Sequence, residues 1–79
     1  MDYSKYIEAN PDIMLGKPVV KGTRISVELI LKKLSEGASH QQLLEAYPSL
    51  TEKNIYAVLS YASEVISNET MLLNDDPGR

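Results

Sequence analysis

The hydrophobic residues in the middle of this chain recur with the period of an α-helix. Four aliphatic residues fall at positions i, i+3, i+4 and i+7, which places them on one face of a helix. They are Val27, Ile30, Leu31 and Leu34. Ser26 precedes them and Gly37 follows them. Serine suits a helix N-cap, and glycine suits the left-handed residue after a C-cap. The pattern therefore predicts a first helix between these two residues.

The same spacing predicts two more helices. Ser39 can cap the second, which Pro48 ends because proline disfavours the helical conformation of the residue before it. Thr51 can cap the third, whose pattern runs to about Glu69. The residues predicted to face the core are His40, Leu43, Leu44 and Tyr47, followed by Ile55, Val58, Leu59, Ala62 and Ile66.

The sequence before the first helix predicts a short β segment. Val19 and Val20 are β-branched, Pro18 suits the start of a strand, and Gly22 suits a tight turn. Residues 13–15 are predicted to form another short strand. Together, these elements predict a mainly α fold: a three-helix, homeodomain-like helix-turn-helix domain with a short N-terminal β arm.

The domain organisation follows from these elements. With 79 residues, the chain is predicted to form one domain at 13–69, with an N-terminal arm at 1–12 and a flexible tail at 70–79. A homodimer is predicted, because a small core and unpaired strand edges both favour association. That pairing is expected along the β segment of residues 18–25.

Composition narrows the class of protein. The sequence has no cysteine and one histidine, which predicts no disulfide and argues against a metal site. No nucleophile lies in a recognisable catalytic motif, so neither enzyme activity nor a cofactor is predicted. The N-terminus lacks a signal pattern, and no apolar run reaches ~18 residues. A cytoplasmic protein without membrane contact is therefore predicted.

Charge divides the chain into a basic and an acidic part. Residues 13–33 carry five lysine or arginine side chains and one glutamate, whereas residues 34–79 carry seven acidic and two basic side chains. Lys17, Lys21 and Arg24 are predicted to form a basic platform that binds DNA phosphates. Alternatively, the platform is a solvated, structural turn, in which Thr23 and Arg24 form hydrogen bonds or ion pairs internally, with Glu28 as a candidate partner.

Further contacts are predicted at the start of helix three and in the tail. In a helix-turn-helix, residues at the start of the second helix of the motif reach base edges, which makes Lys53 and Asn54 candidates for DNA binding. The alternative is a solvated helix face, favoured because Glu52 and the acidic remainder of the helix repel DNA. Apolar residues in the tail are candidates to bind a partner protein, unless the tail is simply disordered. They are Met71, Leu72 and Leu73.

Several short motifs, read in order over roughly residues 5–63, resemble domain-of-unknown-function family 433. They are Asn10-Pro11-Asp12-Ile13, Gly16-Lys17-Pro18, Gly22-Thr23-Arg24-Ile25, Val27, Gly37, Tyr47-Pro48-Ser49-Leu50-Thr51 and Tyr61-Ala62. The chain departs from the family pattern at Leu15, where a second glycine often precedes Gly-Lys-Pro.

The resemblance implies a function. Members look like small bacterial proteins with a homeodomain-like fold, and many resemble VapB-type antitoxins that are paired with a PIN-like nuclease toxin. Such antitoxins typically dimerise, bind their own operator DNA and mask the toxin. The leading expectation is therefore an antitoxin that also represses transcription. The alternative is a homodimeric protein-interaction module that does not bind DNA, which the formal net charge of −3 favours.

Overall fold

The computed structural model of the chain describes residues 1–68 and is mainly helical. Three α-helices follow a two-stranded antiparallel sheet, which confirms the predicted fold class. The elements are β1 (Ile7–Glu8), β2 (Val19–Val20), α1 (Val27–Ser35), α2 (His40–Ala46) and α3 (Glu52–Asn68). Short 3₁₀ turns at Tyr3–Lys5 and Met14–Gly16 complete the secondary structure of these residues.

The ends of the helices are fixed by the residues that the sequence indicates. The Ser26 hydroxyl accepts a hydrogen bond from the Leu29 N–H at 3.0 Å and so caps α1. Gly37 has a φ of +99°, and its N–H donates to the Leu34 carbonyl. Ser39 caps α2 as part of a reciprocal capping box with Gln42. Each cap satisfies backbone groups that a helix end leaves without partners.

The first strand lies at a different place from the one predicted. Residues 13–15 are not a strand: Met14 and Leu15 have φ values of 52° and 58° and belong to a 3₁₀ turn. The strand that pairs with β2 is β1, with Ile7 opposite Val20. Because Ile7 is buried, the N-terminal arm is packed into the domain.

The hydrogen-bonding groups of β2 find partners within the chain. One side of the strand pairs with β1. On the other side, the Val20 N–H donates to the Ile25 carbonyl, and Val19 forms an antiparallel bridge with Ser26. The prediction that unpaired strand edges favour pairing of this segment with a second chain is therefore wrong, because β2 is already paired on both sides.

The core lies where the three helices and the sheet meet. Ile30 of α1 and both Ile55 and Val58 of α3 are completely buried there. The arm covers the later part of α3, where the rings of Tyr3 and Tyr61 meet edge to face at 5.3 Å between centroids. Partial burial and the neighbouring Glu64 carboxylate raise the pKa of Tyr3.

Candidate nucleic-acid and protein interfaces

The turn between β2 and α1 is held by one threonine side chain. The Thr23 hydroxyl donates to the Val20 carbonyl at 2.8 Å and accepts from the Ile25 N–H at 2.9 Å. Gly22 has a φ of +82°, a conformation that side chains with a Cβ rarely adopt. These contacts explain the order Gly-Thr in the motif, and they hold the next residue, Arg24, on a rigid turn.

The three cations of the predicted platform have different surroundings. Lys17 pairs with Glu28 at 3.1 Å, and the Lys21 ammonium donates to the Ser4 carbonyl at 3.3 Å. Arg24 is exposed, with no hydrogen-bond or ion-pair partner for its side chain among residues 1–68. The alternative pairing of Arg24 with Glu28 is therefore wrong, whereas the internal hydrogen bonds expected of Thr23 in a structural turn are present.

The candidates at the start of α3 are partly used by the helix cap. The Asn54 side-chain carbonyl accepts from the Thr51 N–H at 2.8 Å, and the Thr51 hydroxyl accepts from the Asn54 N–H at 3.2 Å. Only the amide NH₂ group of Asn54 is left to contact a base. Lys53 is exposed, and within the described part of the chain its side chain has no partner.

The two sets of DNA-binding candidates lie near different parts of α3. Lys21 contacts the arm at Ser4, and the arm packs against Tyr61. Along the helix axis, Tyr61 is about 12 Å from Lys53, at ~1.5 Å per residue. Lys21 therefore lies against the arm that packs on Tyr61, whereas Lys53 and Asn54 lie at the start of α3.

An interaction that the sequence did not predict joins the starts of α2 and α3. His40 Nδ1 lies 3.0 Å from Glu52 Oε2, and the His40 ring meets the edge of Tyr56 at 5.7 Å between centroids. The first residues of two successive helices meet here. Twelve sequence positions separate them, so helical periodicity gives no signal for this contact, which fixes how the two helices start beside each other.

The outer side of α3 is apolar. Tyr56, Leu59 and Ile66 have exposed fractions of 49%, 39% and 59%. The prediction that Leu59 and Ile66 belong to the core is wrong. Periodicity marks a broad apolar side of a helix, but only the part that carries Ile55 and Val58 is completely buried. The remaining apolar side chains form an uncovered surface.

The predicted partner-binding residues of the tail lie outside the described residues, together with the rest of 69–79. They are Met71, Leu72 and Leu73. Within residues 1–68, no helix has the length and hydrophobicity needed to cross a membrane.

These features define a small three-helix domain that carries a covered β arm and a rigid Gly-Thr-Arg turn. Residues 7–62 match the family described as "Protein of unknown function (DUF433)". The chain therefore belongs to domain-of-unknown-function family 433, as the motifs indicated.

The chain is similar to a protein known by its sequence and to a protein of solved structure. The uncharacterized protein y4eO of Sinorhizobium fredii is 39% identical over 56 residues, which cover 71% of this chain and 25% of the relative. The chain thus spans about a quarter of that protein. The crystal structure of a DUF433 member from Anabaena variabilis superimposes with a TM-score of 0.70 at 30% identity, covering 80% of this chain and 65% of the other.

Proposed function

We propose that this protein is the antitoxin of a bacterial toxin–antitoxin pair, which neutralises a PIN-like nuclease toxin and binds operator DNA. The proposal begins from the resemblance of many members of family 433 to VapB-type antitoxins. The observation that carries it is Arg24, an exposed arginine without a partner among residues 1–68, held on a turn that Thr23 makes rigid. A guanidinium that no carboxylate of the described residues engages is free to bind a phosphate group.

The DNA-binding part assigns different tasks to different cations. Arg24, with Lys21 and Lys17 beside it in sequence, contacts phosphates and contributes affinity without reading bases. Lys17 contributes less than Arg24, because Glu28 already pairs with it. At the start of α3, Lys53 contacts phosphate, and the free amide NH₂ of Asn54 contacts a base edge.

A salt titration with the promoter fragment of the protein's own gene tests this part. Each phosphate contact contributes about −0.9 to the slope of log affinity against log salt. Arg24→Ala should weaken binding and reduce the steepness of that slope by about one contact for each protomer bound, with sequence preference unchanged. Lys33→Ala is a matched control, because it removes a cation from outside the proposed set. A wild-type protein that does not bind the fragment at ~50 mM salt, where phosphate contacts are strong, contradicts the DNA-binding part.

The toxin-binding part rests on the tail. We propose that Met71, Leu72 and Leu73 bind the nuclease, with Asp75 and Asp76 facing a basic surface of it. Co-expression with the product of the neighbouring gene, followed by a pull-down, should recover a complex. Truncation after Asn68 should abolish or weaken its recovery while the melting temperature of the domain stays the same. Undiminished recovery with the truncated chain would remove the tail from the interface.

A second candidate is a protein-interaction module that does not bind DNA. The apolar outer side of α3 favours it, because Tyr56, Leu59 and Ile66 are not the residue types that contact phosphates. The two candidates differ in the salt titration: the interaction module shows no binding to DNA of any sequence, and retains its protein partner.

A further inference from the structure

The outer side of α3 carries a regular seam of four residues. Tyr56, Leu59, Ser63 and Ile66 follow one another at intervals of three, four and three positions. This is the spacing of the contact line between two helices of a coiled coil. All four are exposed, and within residues 1–68 the one ring contact of the seam is that of Tyr56 with His40. We call these four residues the α3 seam.

We propose that the α3 seam binds the same seam of a second copy of the chain, with the two α3 helices antiparallel. The order of residues along the seam is the reason. Along the helix axis, Tyr56 and Ile66 lie at equal distances on either side of residue 61, and so do Leu59 and Ser63. In a two-fold pair centred there, Tyr56 meets the second copy's Ile66, and Leu59 meets its Ser63. A two-fold interface requires this self-complementarity.

The sizes of the facing residues suit close packing. Leu59, a large residue, lies opposite Ser63, a small one, and this alternation lets two helices interdigitate. Tyr56 is already held on one side by the ring of His40. An anchor that is ordered before binding loses less conformational entropy when it is buried.

Charge does not oppose this pairing. Between Tyr56 and Ile66 the only charged residue is Glu64. Its carboxylate lies beside the Tyr3 hydroxyl, on the side of α3 that the arm covers. The seam therefore brings no like charges together when it meets its copy. The same surface is unsuited to DNA, because it has no lysine or arginine between Tyr56 and Ile66 to bind phosphate.

The size of the seam sets the expected affinity. A single pair of helices buries less than the roughly 800 Å² per partner of a standard interface. A dissociation constant in the micromolar range, equivalent to about −8 kcal/mol at 1 μM, is accordingly expected. The pairing also occupies the outer side of α3, so DNA contacts in the dimer fall to Arg24 and to the start of the helix.

Sedimentation equilibrium of the full chain at about 10–200 μM, a range chosen for this affinity, tests the pairing. The wild-type protein should approach twice the 8.8 kDa chain mass. Ile66→Glu should be monomeric, because two buried carboxylates would have to be desolvated. Leu15→Glu is the matched control: it makes a similar change at a 95% exposed residue outside the seam, and should leave the dimer intact. Circular dichroism melts establish that both variants fold.

Disulfide trapping tests the orientation, because the chain has no cysteine of its own. Tyr56→Cys and Ile66→Cys proteins should cross-link when they are mixed. Neither should cross-link with itself, because equal positions lie about 15 Å apart along antiparallel helices at ~1.5 Å per residue.

The outcomes decide the proposal independently of the antitoxin function. A monomeric wild type, an Ile66→Glu variant that still dimerises, or self-cross-linking of either cysteine variant overturns it. Dimerisation that Ile66→Glu abolishes, together with cross-linking only in the mixture, supports it whether or not the protein binds DNA or a nuclease.

Discussion

Replacing Thr23 with valine should lower the free energy of unfolding by about 1–3 kcal/mol, the cost of leaving a partly buried polar group without a partner. Valine has nearly the shape of threonine but lacks the hydroxyl that accepts from the Ile25 N–H. The Val20 carbonyl keeps its bond from the backbone N–H of residue 23, so the orphaned Ile25 N–H dominates the loss. Thermal melts should show a decrease of roughly 4–8 °C for each kcal/mol in a domain of this size.

Two variants separate this effect from other causes. Thr23→Ser keeps the hydroxyl and should retain most of the stability. Arg24→Ala removes the neighbouring charge. As a surface substitution, it should change the free energy of unfolding by no more than about 0.5 kcal/mol in either direction. If Thr23→Val and Thr23→Ser melt alike, the hydroxyl is not what holds the turn, and the rigid presentation of Arg24 loses its basis.

Features that depend on neighbouring residues could be predicted from the sequence. The caps at Ser26, Ser39 and Thr51 and the left-handed Gly37 each rest on hydrogen bonds or backbone conformations within a few positions. Such contacts form wherever the local residues allow them. The three helices and their order were therefore predictable, as was the short β segment at Val19 and Val20.

Features that depend on distant residues were not predictable in this way. The pairing of Ile7 with Val20 and the contact of His40 with Glu52 join segments that have no common periodicity. The core assignment of Leu59 failed for a related reason. Hydrophobic spacing identifies the apolar side of a helix, but only the packed neighbours determine how much of that side is buried.

The turn at Met14–Gly16 has a strained backbone. Met14, Leu15 and Gly16 all have positive φ values, of 52°, 58° and 86°. For residues other than glycine, this left-handed conformation costs about 1–2 kcal/mol each. In the family pattern that the chain resembles, a glycine often stands at the position of Leu15. The positive φ of Leu15 gives the physical reason for that glycine. The leucine side chain is 95% exposed, so packing within residues 1–68 offers little compensation.

Replacing Leu15 with glycine should therefore raise the free energy of unfolding, by about 0.5–1 kcal/mol. Relief of the left-handed strain, roughly 1–2 kcal/mol, exceeds the greater freedom that glycine gives the unfolded chain, roughly 0.5–1 kcal/mol. The melting temperature should rise by a few degrees. Leu15→Ala is the control, because it removes the exposed side chain but keeps the Cβ that causes the strain, and it should melt like the wild type. A lower melting temperature for Leu15→Gly would mean that the leucine stabilises the fold despite its exposure.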